Sequence, residues 1–202
     1  MRDDSEDDPG ARLMLAWAGG DESAFDGLVE AYSGQVYALM TRFLGRHSGR
    51  EDLVQEVFLR VIRARDRYEP RARFTTWLYR IVYNLCVNET QRRGAQGHVS
   101  IERSSQGVDQ PGAGPLEILD ERAVGPAESM ERDDVVRQVR EAIAALPASQ
   151  RMALVLAKYH DQSYSEIADV LGSSEKAIKS LIHRARETLR ATLAPLLAEE
   201  RS

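Results

Sequence analysis

Two stretches of the sequence carry cations and amides at helical spacing. In "YEPRARFTTWLYRIVYNLCVNETQRR", Arg80, Asn84 and Asn88 follow one another at four-residue steps, so they share one face of a helix. Amides can read base edges and aromatic rings can stack on unpaired bases, which favours single-stranded DNA as the ligand. A solvated helix face over plain aromatic core is the alternative. The stripe is surrounded by aromatic residues and flanked by arginines, namely Tyr68, Phe74, Trp77, Tyr79, Tyr83, Arg71, Arg73, Arg92 and Arg93.

The second stretch, "SYSEIADVLGSSEKAIKSLIHRARETLR", has the pattern of a helix-turn-helix. Ser163 and Glu166 have capping-box spacing, Gly172 suits the left-handed position after a helix, and Ser173 or Ser174 can cap the next helix. That helix is predicted to bury Ile178, Ile182, Ala185 and Leu189. Its polar residues then point outward as a recognition surface for duplex DNA: Lys176, Lys179, Ser180, His183, Arg184 and Arg186. A packed helical hairpin with a solvated basic face is the other interpretation.

The number of phosphate contacts limits what this helix-turn-helix can do alone. Three or four contacts give a salt dependence with a slope of only about −3 to −4 on a log–log scale. Binding of that kind is weak at physiological salt. The segment therefore needs either a dimer partner or a second DNA anchor, and the amide stripe offers the second anchor.

Composition and charge exclude several classes of protein. The chain has 202 residues and a net charge of −5, but residues 42–93 hold twelve Arg against six acids, a balance of +6. Residues 94–134 balance at −6, from three Arg and nine acids, and residues 135–190 at +3, from nine Lys or Arg and six acids. The single cysteine and four scattered histidines have no metal-ligand spacing, and no nucleophile motif or phosphate loop is present. We expect no enzyme activity, no metal and no cofactor.

The N-terminus and the hydropathy indicate location. The start, "MRDDSEDDPG", is acidic and unlike a signal peptide, and no apolar run reaches membrane-spanning length. A cytoplasmic protein without membrane insertion is expected.

Helical periodicity predicts an all-α fold of two small helical domains joined by a flexible acidic linker. The predicted boundaries are a tail at 1–10, a first domain at 11–95, a linker at 96–130 and a second domain at 131–202. Helix starts are predicted at Ser23, at Ser48 paired with Glu51, and at Ser149. As a flexible coil, residues 94–130 would span about 33 Å on average, against about 120 Å when extended.

A third stretch, "EDLVQEVFLRVIRA", predicts a helix with two unlike faces. Its apolar residues share one side: Leu53, Val54, Val57, Phe58, Val61 and Ile62. The other side is polar and acidic and suits a basic partner helix. It consists of Asp52, Gln55, Glu56, Leu59 and Arg60.

Together the three stretches resemble the bacterial RNA polymerase sigma factors of the extracytoplasmic-function group, in the sigma-70 superfamily. The resemblance implies that 11–95 is sigma region 2 and 131–202 is sigma region 4. It places Asp52, Gln55, Glu56 and Phe58 against the clamp coiled coil of the largest subunit of core RNA polymerase. It also implies that Asn84 holds a flipped minus-ten base, and that promoter DNA and an anti-sigma factor are partners. The remaining residues implied for the minus-ten element are Arg60, Arg73, Phe74, Trp77, Arg80 and Asn88, and those for the minus-thirty-five element are the six outward residues of the helix-turn-helix.

Two departures from the family pattern bear on specificity. Lys176-Ala177 stands where many members have Gly-Thr, and Leu181 stands where many have Arg. The minus-thirty-five sequence therefore does not carry over. A dimeric helix-turn-helix regulator is the alternative function, but it leaves the amide stripe unexplained. A pure protein-interaction module leaves both basic blocks unexplained.

Overall fold

A computed structural model describes residues 8–45, 47, 49–97 and 126–199. These residues form eight α-helices, one short 3-10 helix at Arg65–Arg67 and no strand, which confirms the predicted all-α fold. None of the described helices is long and apolar enough to cross a membrane. The helices are α1 (Pro9–Ala18), α2 (Ser23–Leu44), α3 (Arg50–Arg63), α4 (Phe74–Gly97), α5 (Pro126–Ala145), α6 (Ala148–Tyr159), α7 (Tyr164–Leu171) and α8 (Glu175–Glu199).

The predicted linker lies mostly outside the described residues. Residues 96 and 97 continue α4, and residues 126–130 form the start of α5. Residues 98–125, between those helices, are not among the described ones, and neither is Ser48 with its predicted cap.

Helices α1 to α4 form the first helical unit around one stripe of α2. Leu28, Tyr32, Val36, Leu39 and Phe43 recur at three- and four-residue steps, so they fall on one side of α2. All five are buried, and α2 packs against α1, α3 and α4. Each fully buried aliphatic side chain of this kind contributes about 1.5–3 kcal/mol relative to exposure. This core fixes the position of α4, which carries the amide stripe.

Helix α3 buries a narrower face than its sequence predicted. Val57, Phe58 and Val61 are buried, whereas Ile62 is 42% exposed. The prediction for Ile62 was wrong because α3 packs at the edge of the unit, against α2, α4 and the 3-10 helix. Ile62 lies about 100° around the helix from Val61, which turns it past that contact.

The second helical unit, α5 to α8, has the predicted helix-turn-helix at its centre. The Ser163 hydroxyl accepts from the Glu166 N–H, and the Glu166 carboxylate accepts from the Ser163 N–H at 2.7 Å, so the capping box is confirmed. Gly172 ends α7 in the left-handed conformation, at φ 62°. The Ser174 hydroxyl accepts from the Ala177 N–H at 3.3 Å, which identifies Ser174 as the cap of α8.

Two predicted caps were wrong. Ser23 is the first residue of α2, and the Asp21 carboxylate accepts from both its N–H and its hydroxyl. A charged acceptor is stronger than a hydroxyl, and Asp21 stands where it can reach the helix start. Ser149 lies inside α6, because Pro147 already adopts the extended conformation that precedes the helix.

One carboxylate joins the starts of α1 and α4. The Asp8 Oδ1 atom accepts from the N–H groups of Gly10 and Ala11, at 3.0 and 3.3 Å. The Oδ2 atom accepts from the N–H of Phe74 at 2.6 Å, and Asp8 is only 8% exposed. Asp8 therefore caps two helices that are 66 residues apart in the chain.

The two helical units pack against each other, with α2 on α5 and α6 and with α4 on α7. Arg151 of α6 lies buried in this contact. Its guanidinium donates to the Phe43 carbonyl at 2.7 Å and to the Leu146 carbonyl at 2.8 Å. Those carbonyls stand at the C-terminal ends of α2 and α5, where backbone dipoles favour a cation. Burial lowers the pKa of Arg151, so this charge depends on the contact for its stabilisation.

Candidate nucleic-acid interface

Helix α4 presents the predicted polar stripe to the outside. Arg80, Asn84 and Asn88 are all exposed, on the side opposite the buried Leu78, Val82 and Leu85. Asparagine has low helix propensity in a helix interior, so packing against α2 and α3 rather than local preference keeps this segment helical. An amide offers two donors and one acceptor, which suits the edge of an unpaired base.

The aromatic residues beside the stripe are more buried than a stacking platform requires. Phe74 is fully buried, with its ring centroid 5.6 Å from that of Trp77 and 4.9 Å from that of Tyr32. Trp77 is half-buried and packs edge-on to Tyr68 at 5.1 Å. Of the two predicted rings, only Trp77 has a surface open to a ligand in this conformation. Phe74 instead anchors the start of α4.

A buried carboxylate holds the C-terminal part of α4. Glu89 is 7% exposed and contacts the His47 Nε2 atom at 2.9 Å and the Arg92 guanidinium at 2.8 Å. The Gly49 N–H donates to His47 Nδ1, so the Nε2–H of His47 is the donor to Glu89. The hydrogen bond from Arg92 comes first among the causes that lower the pKa of Glu89 to about 2. Arg92 and Arg93, two of the arginines that flank the stripe, are thus paired with Glu89.

Helix α8 exposes its predicted recognition surface as a continuous face. Ile178, Ile182 and Ala185 are buried against α6 and α7, and they turn the polar residues outward. His183 contacts Glu187 at 3.3 Å, and the Arg184 Nε atom donates to the Ser180 carbonyl at 3.4 Å. Both contacts are exposed and can be exchanged for DNA phosphates. All six predicted residues are exposed: Lys176, Lys179, Ser180, His183, Arg184 and Arg186.

The outer face of α3 combines polar residues with exposed apolar ones. Asp52 and Gln55 are exposed, and Leu59 and Ile62 are 45% and 42% exposed. Glu56 pairs with Arg60 at 3.1 Å and with Arg63 at 3.4 Å. Phe58, which the resemblance placed in the polymerase-binding segment, is 7% exposed and packs into the first helical unit. Exposed Leu59 and Ile62 beside charged residues are typical of a protein-docking surface.

The structure brings the two predicted DNA-binding elements close together. Arg73 contacts Glu166 of α7 at 3.4 Å, and the Arg80 guanidinium donates to the Asp169 carbonyl, from Nε at 3.0 Å and also from Nη2. Asn84 and Asn88 remain exposed beyond this contact. The N-terminal half of the α4 stripe is therefore occupied by the helix-turn-helix, while its C-terminal half is open.

Sequence reasoning missed the residues that fix this arrangement: Asp8, His47, Glu89, Arg151 and His160. Asp8 had a local signal, since Asp followed by Pro and Gly at the start of an apolar stripe is a helix start. The others contact partners 42 to 108 residues away, for which no local pattern exists. Glu89 had a local signal as well, since Arg92 and Arg93 follow it at three and four residues.

Comparison with known proteins gives the family. Residues 28–96 match the model of sigma-70 region 2, and residues 136–189 match that of sigma-70 region 4. RNA polymerase sigma-H factor of Pseudomonas aeruginosa is 33% identical over 180 residues, 89% of this chain and 91% of the relative. ECF RNA polymerase sigma-E factor of Escherichia coli K12 is 31% identical over 178 residues, 88% of this chain and 91% of the relative.

Solved structures agree on the fold. CnrH, in complex with the cytosolic domain of CnrY, superposes with a TM-score of 0.66 at 24% identity, over 93% of this chain and 99% of that one. The sigma factor RpoE of Bartonella quintana, in complex with the anti-sigma factor NepR, gives 0.61 at 23% identity, over 84% and 96%. On its sequence relatives and its two matched regions, this chain belongs to the extracytoplasmic-function group of the sigma-70 family of RNA polymerase sigma factors.

Proposed function

We propose that this chain binds core RNA polymerase through the outer face of α3 and directs it to promoters, where α4 reads the minus-ten element and α8 reads the minus-thirty-five element. The observation that carries the proposal is the presence of two unlike exposed polar helix faces on separate helical units of one chain. One exposes amides suited to unpaired bases, and the other exposes cations suited to a duplex. A regulator that binds only duplex DNA does not need the exposed amides of α4.

Each DNA site is too small to work alone, and polymerase supplies the missing affinity. When two weak sites are held on one assembly, binding at the first raises the effective concentration at the second. The chain itself carries a net charge of −5, so the free protein is not drawn strongly to DNA. Promoter binding then depends on core enzyme, which is the behaviour of a specificity subunit. The bond-making chemistry of transcription belongs to the polymerase.

On α4, Asn84 is the residue we assign to the extruded minus-ten base. It is exposed at the centre of the stripe, between Arg80 and Asn88, and beyond the buried ring of Phe74. Taking a base out of the duplex costs a few kcal/mol, which contacts to its edge must offset. On α3, Leu59 and Ile62 form the apolar centre of the docking face, with Asp52 and Gln55 as its polar rim.

Two further features follow from the proposed function. The chain acts in the cytoplasm, where it meets polymerase. An anti-sigma factor is a further proposed partner, as the anti-sigma factor NepR is of RpoE in their complex.

The test is transcription from sheared genomic DNA of the source bacterium by purified core polymerase, with mapping of the 5′ ends of the RNA. Discrete start sites should appear only when core and this protein are both present. An Asp52→Lys variant should lose them, and Glu30→Lys, with the same change of charge on an exposed residue of α2, should keep them. Nanomolar promoter binding by the free protein at physiological salt, unchanged by core, would favour the dimeric regulator.

A further inference from the structure

Two arginines near the C-terminal end of α4 share one buried carboxylate. Arg92 donates to Glu89 from Nε at 2.8 Å and from Nη2 at 2.9 Å, with one hydrogen bond to each carboxylate oxygen. The Nε atom of Arg93 lies 3.5 Å from the Oε1 atom of Glu89. The Glu89 side chain is 7% exposed, whereas those of Arg92 and Arg93 are 62% and 44% exposed. The charges that face the solvent here are therefore the two cations.

The carboxylate is held on its other side by the connection between α2 and α3. The His47 side chain is 6% exposed, and its Nε2 atom contacts Glu89 at 2.9 Å. The Gly49 N–H donates to the Nδ1 atom of His47 at 3.0 Å, which fixes the orientation of the ring. Gly49 directly precedes α3, so hydrogen bonds connect the start of α3 to the Arg92 guanidinium. A guanidinium fixed in this way loses less conformational entropy when it binds a ligand.

The arginine pair lies next to the amides assigned to minus-ten DNA. Arg92 follows Asn84 and Asn88 at the same four-residue step, so it extends their face of α4. The Cα atoms of Asn84 and Arg92 are about 12 Å apart along the helix axis. That distance corresponds to about three nucleotides of a stacked strand, and to fewer of an extended one. A strand that follows this face of α4 from Asn84 therefore brings a backbone phosphate within reach of Arg92.

Charge and donor geometry favour a phosphodiester as the ligand of these arginines. His47 is neutral because its Nδ1 atom accepts a hydrogen bond, so two arginines and one carboxylate give the cluster a net charge of +1. This charge matches the single negative charge of a phosphodiester. Arg92 uses two of its five N–H donors on Glu89 and keeps three for a ligand. Arginine can bind two phosphate oxygens at once, and such a contact positions the strand without reading its sequence.

We propose that Arg92 and Arg93 form a binding site for a backbone phosphate of the minus-ten strand, and that Glu89 is the positioning residue of this site. The inference rests on the proposed function of α4 and deepens it, because Asn84 then reads a base while the arginine pair holds the backbone nearby. Glu89 stays paired with both arginines, and the phosphate takes the donors that point away from the carboxylate. A carboxylate that only neutralised the arginines would have the opposite effect and weaken DNA binding.

The salt dependence of binding tests the two arginines. The probe is a fork-junction DNA whose unpaired strand carries the minus-ten region of a start site mapped as above, and fluorescence anisotropy measures its affinity for core polymerase with this protein. In Arg92→Gln/Arg93→Gln, the log–log slope should be shallower by about 0.7, the value for one phosphate contact on a single strand. Binding should then be about fourfold weaker at about 0.15 M salt. Arg12→Gln, at an exposed position of α1, is the control, and equal slopes in the two variants would overturn the inference.

The sign of the effect on affinity tests the role of Glu89. Glu89→Gln makes the chain more positive by one charge, so electrostatic attraction alone would tighten DNA binding. Loss of positioning should instead weaken binding about fourfold, as for one lost phosphate contact, and Glu89→Gln should cause no further loss in the Arg92→Gln/Arg93→Gln background. Tighter binding would overturn the inference. An equal loss in both backgrounds would also overturn it, because a purely structural role does not depend on the arginines.

A substitution at an exposed position decides the question if Glu89→Gln does not fold. Arg92→Lys keeps the charge but replaces the planar fork that spans both carboxylate oxygens by a point charge. It should weaken binding of the same DNA about twofold or more, whereas Arg12→Lys should not. Equal affinities of these two variants would overturn the inference and leave the proposed function standing. Failure of the unmodified chain to give start sites with core would count against the proposed function and, with it, the inference.

Discussion

Acidification should weaken the contact between the two helical units, and a single imidazole, that of His160, should cause this effect. Burial, reinforced by the charge of Arg42, lowers the pKa of His160 from 6.5 to about 4, and only Asp161 opposes the shift. Its Nδ1 atom faces the Tyr79 hydroxyl, and its Nε2 atom is buried without a hydrogen-bond partner. The imidazole is therefore neutral when the units are in contact. The Tyr79 hydroxyl donates to the Gln35 Oε1 atom, so the Nδ1–H of His160 donates to the Tyr79 oxygen. A second proton, on Nε2, would create a buried charge without a hydrogen-bond partner.

The sign of the effect follows from the lowered pKa. When the units separate, His160 returns to solvent and takes up a proton below about pH 6.5, so the stabilisation is complete above that pH. It is lost as the pH falls from about 6.5 towards 4. The whole shift corresponds to about 3 kcal/mol, of which about 2 kcal/mol is lost by pH 5. The ratio of chains with the two units in contact to chains with the units separated should thus fall about 30-fold between pH 7.5 and pH 5.

Energy transfer between dyes on Glu30→Cys and Ala191→Cys, one on each unit, reports this separation during urea titrations. Buried Cys86 does not label. Burial opposes the shift, but the hydrogen bonds with Ser163 and the charge of Arg73 lower the pKa of Glu166, so its carboxylate stays largely ionised between pH 7.5 and pH 5. The control is His160→Asn, which keeps a donor near the Nδ1 position and does not titrate. Equal pH dependence in the two proteins would refute the role of His160.

Three further predictions concern the DNA face, the docking face and the double cap. Asn84→Ala should slow promoter opening and relax the preference at one minus-ten position, with unfolding free energy within about 0.5 kcal/mol of the parent because the side chain is exposed; permanganate footprinting and thermal melting measure both. Leu59→Asp should weaken core-polymerase binding about tenfold or more in a pull-down titration, whereas Leu15→Asp, at 44% exposure against 45%, should not. Asp8→Ala should lower the unfolding free energy, measured by urea unfolding, by about 1–3 kcal/mol, because three N–H groups lose the carboxylate that accepts from them. Asp26→Ala, which removes an exposed acid of α2, is the control, and an equal loss in the two variants would contradict the prediction.

The helices could be predicted because their signals are local. The stripe from Leu28 to Phe43 repeats at the helical period, and the capping box of Ser163 with Glu166 needs only three residues of separation. Ser23 shows where local signals compete, since its hydroxyl and its own N–H both donate to Asp21, two residues earlier, and the hydroxyl caps no N–H group of α2. Ile62 shows a different limit. Ile62 has the helical spacing of the other apolar residues of α3, but the width of the buried face depends on the elements that α3 packs against.

The contact between the units could not be predicted in this way. Arg151 and Phe43 are 108 residues apart, and Tyr79 and His160 are 81 apart, with the predicted linker between them. Nothing in "LPASQRMALVLAKYH" marks its arginine as buried or its histidine as neutral. Residues 151–156 of α6 are all buried because α6 packs against α2 of the first unit as well as against α7 and α8.

Charge counted along the sequence overstates the cations that α4 and its neighbours offer to DNA. The balance of +6 over residues 42–93 includes arginines already paired with carboxylates. Glu89, at 7% exposure, holds its arginines through a buried carboxylate, and its lowered pKa keeps it ionised. The remaining pairs are more exposed and are screened by water, so each contributes little and DNA phosphates can replace it. These pairs are Arg60 and Arg63 with Glu56, Arg65 with Glu22, Arg71 with Glu69, and Arg73 with Glu166.

Cations in weak pairs are available to DNA only where a phosphate is already held nearby. We therefore expect the free protein to have little general affinity for duplex DNA despite its basic blocks. On an assembly that presents the strand to α4, the same arginines change partners at small cost. The pairing of Arg73 with α7, and of Arg80 with a backbone carbonyl of α7, belongs to this scheme. If α4 reads the minus-ten strand as proposed, we expect that strand to replace α7 as the partner of both arginines.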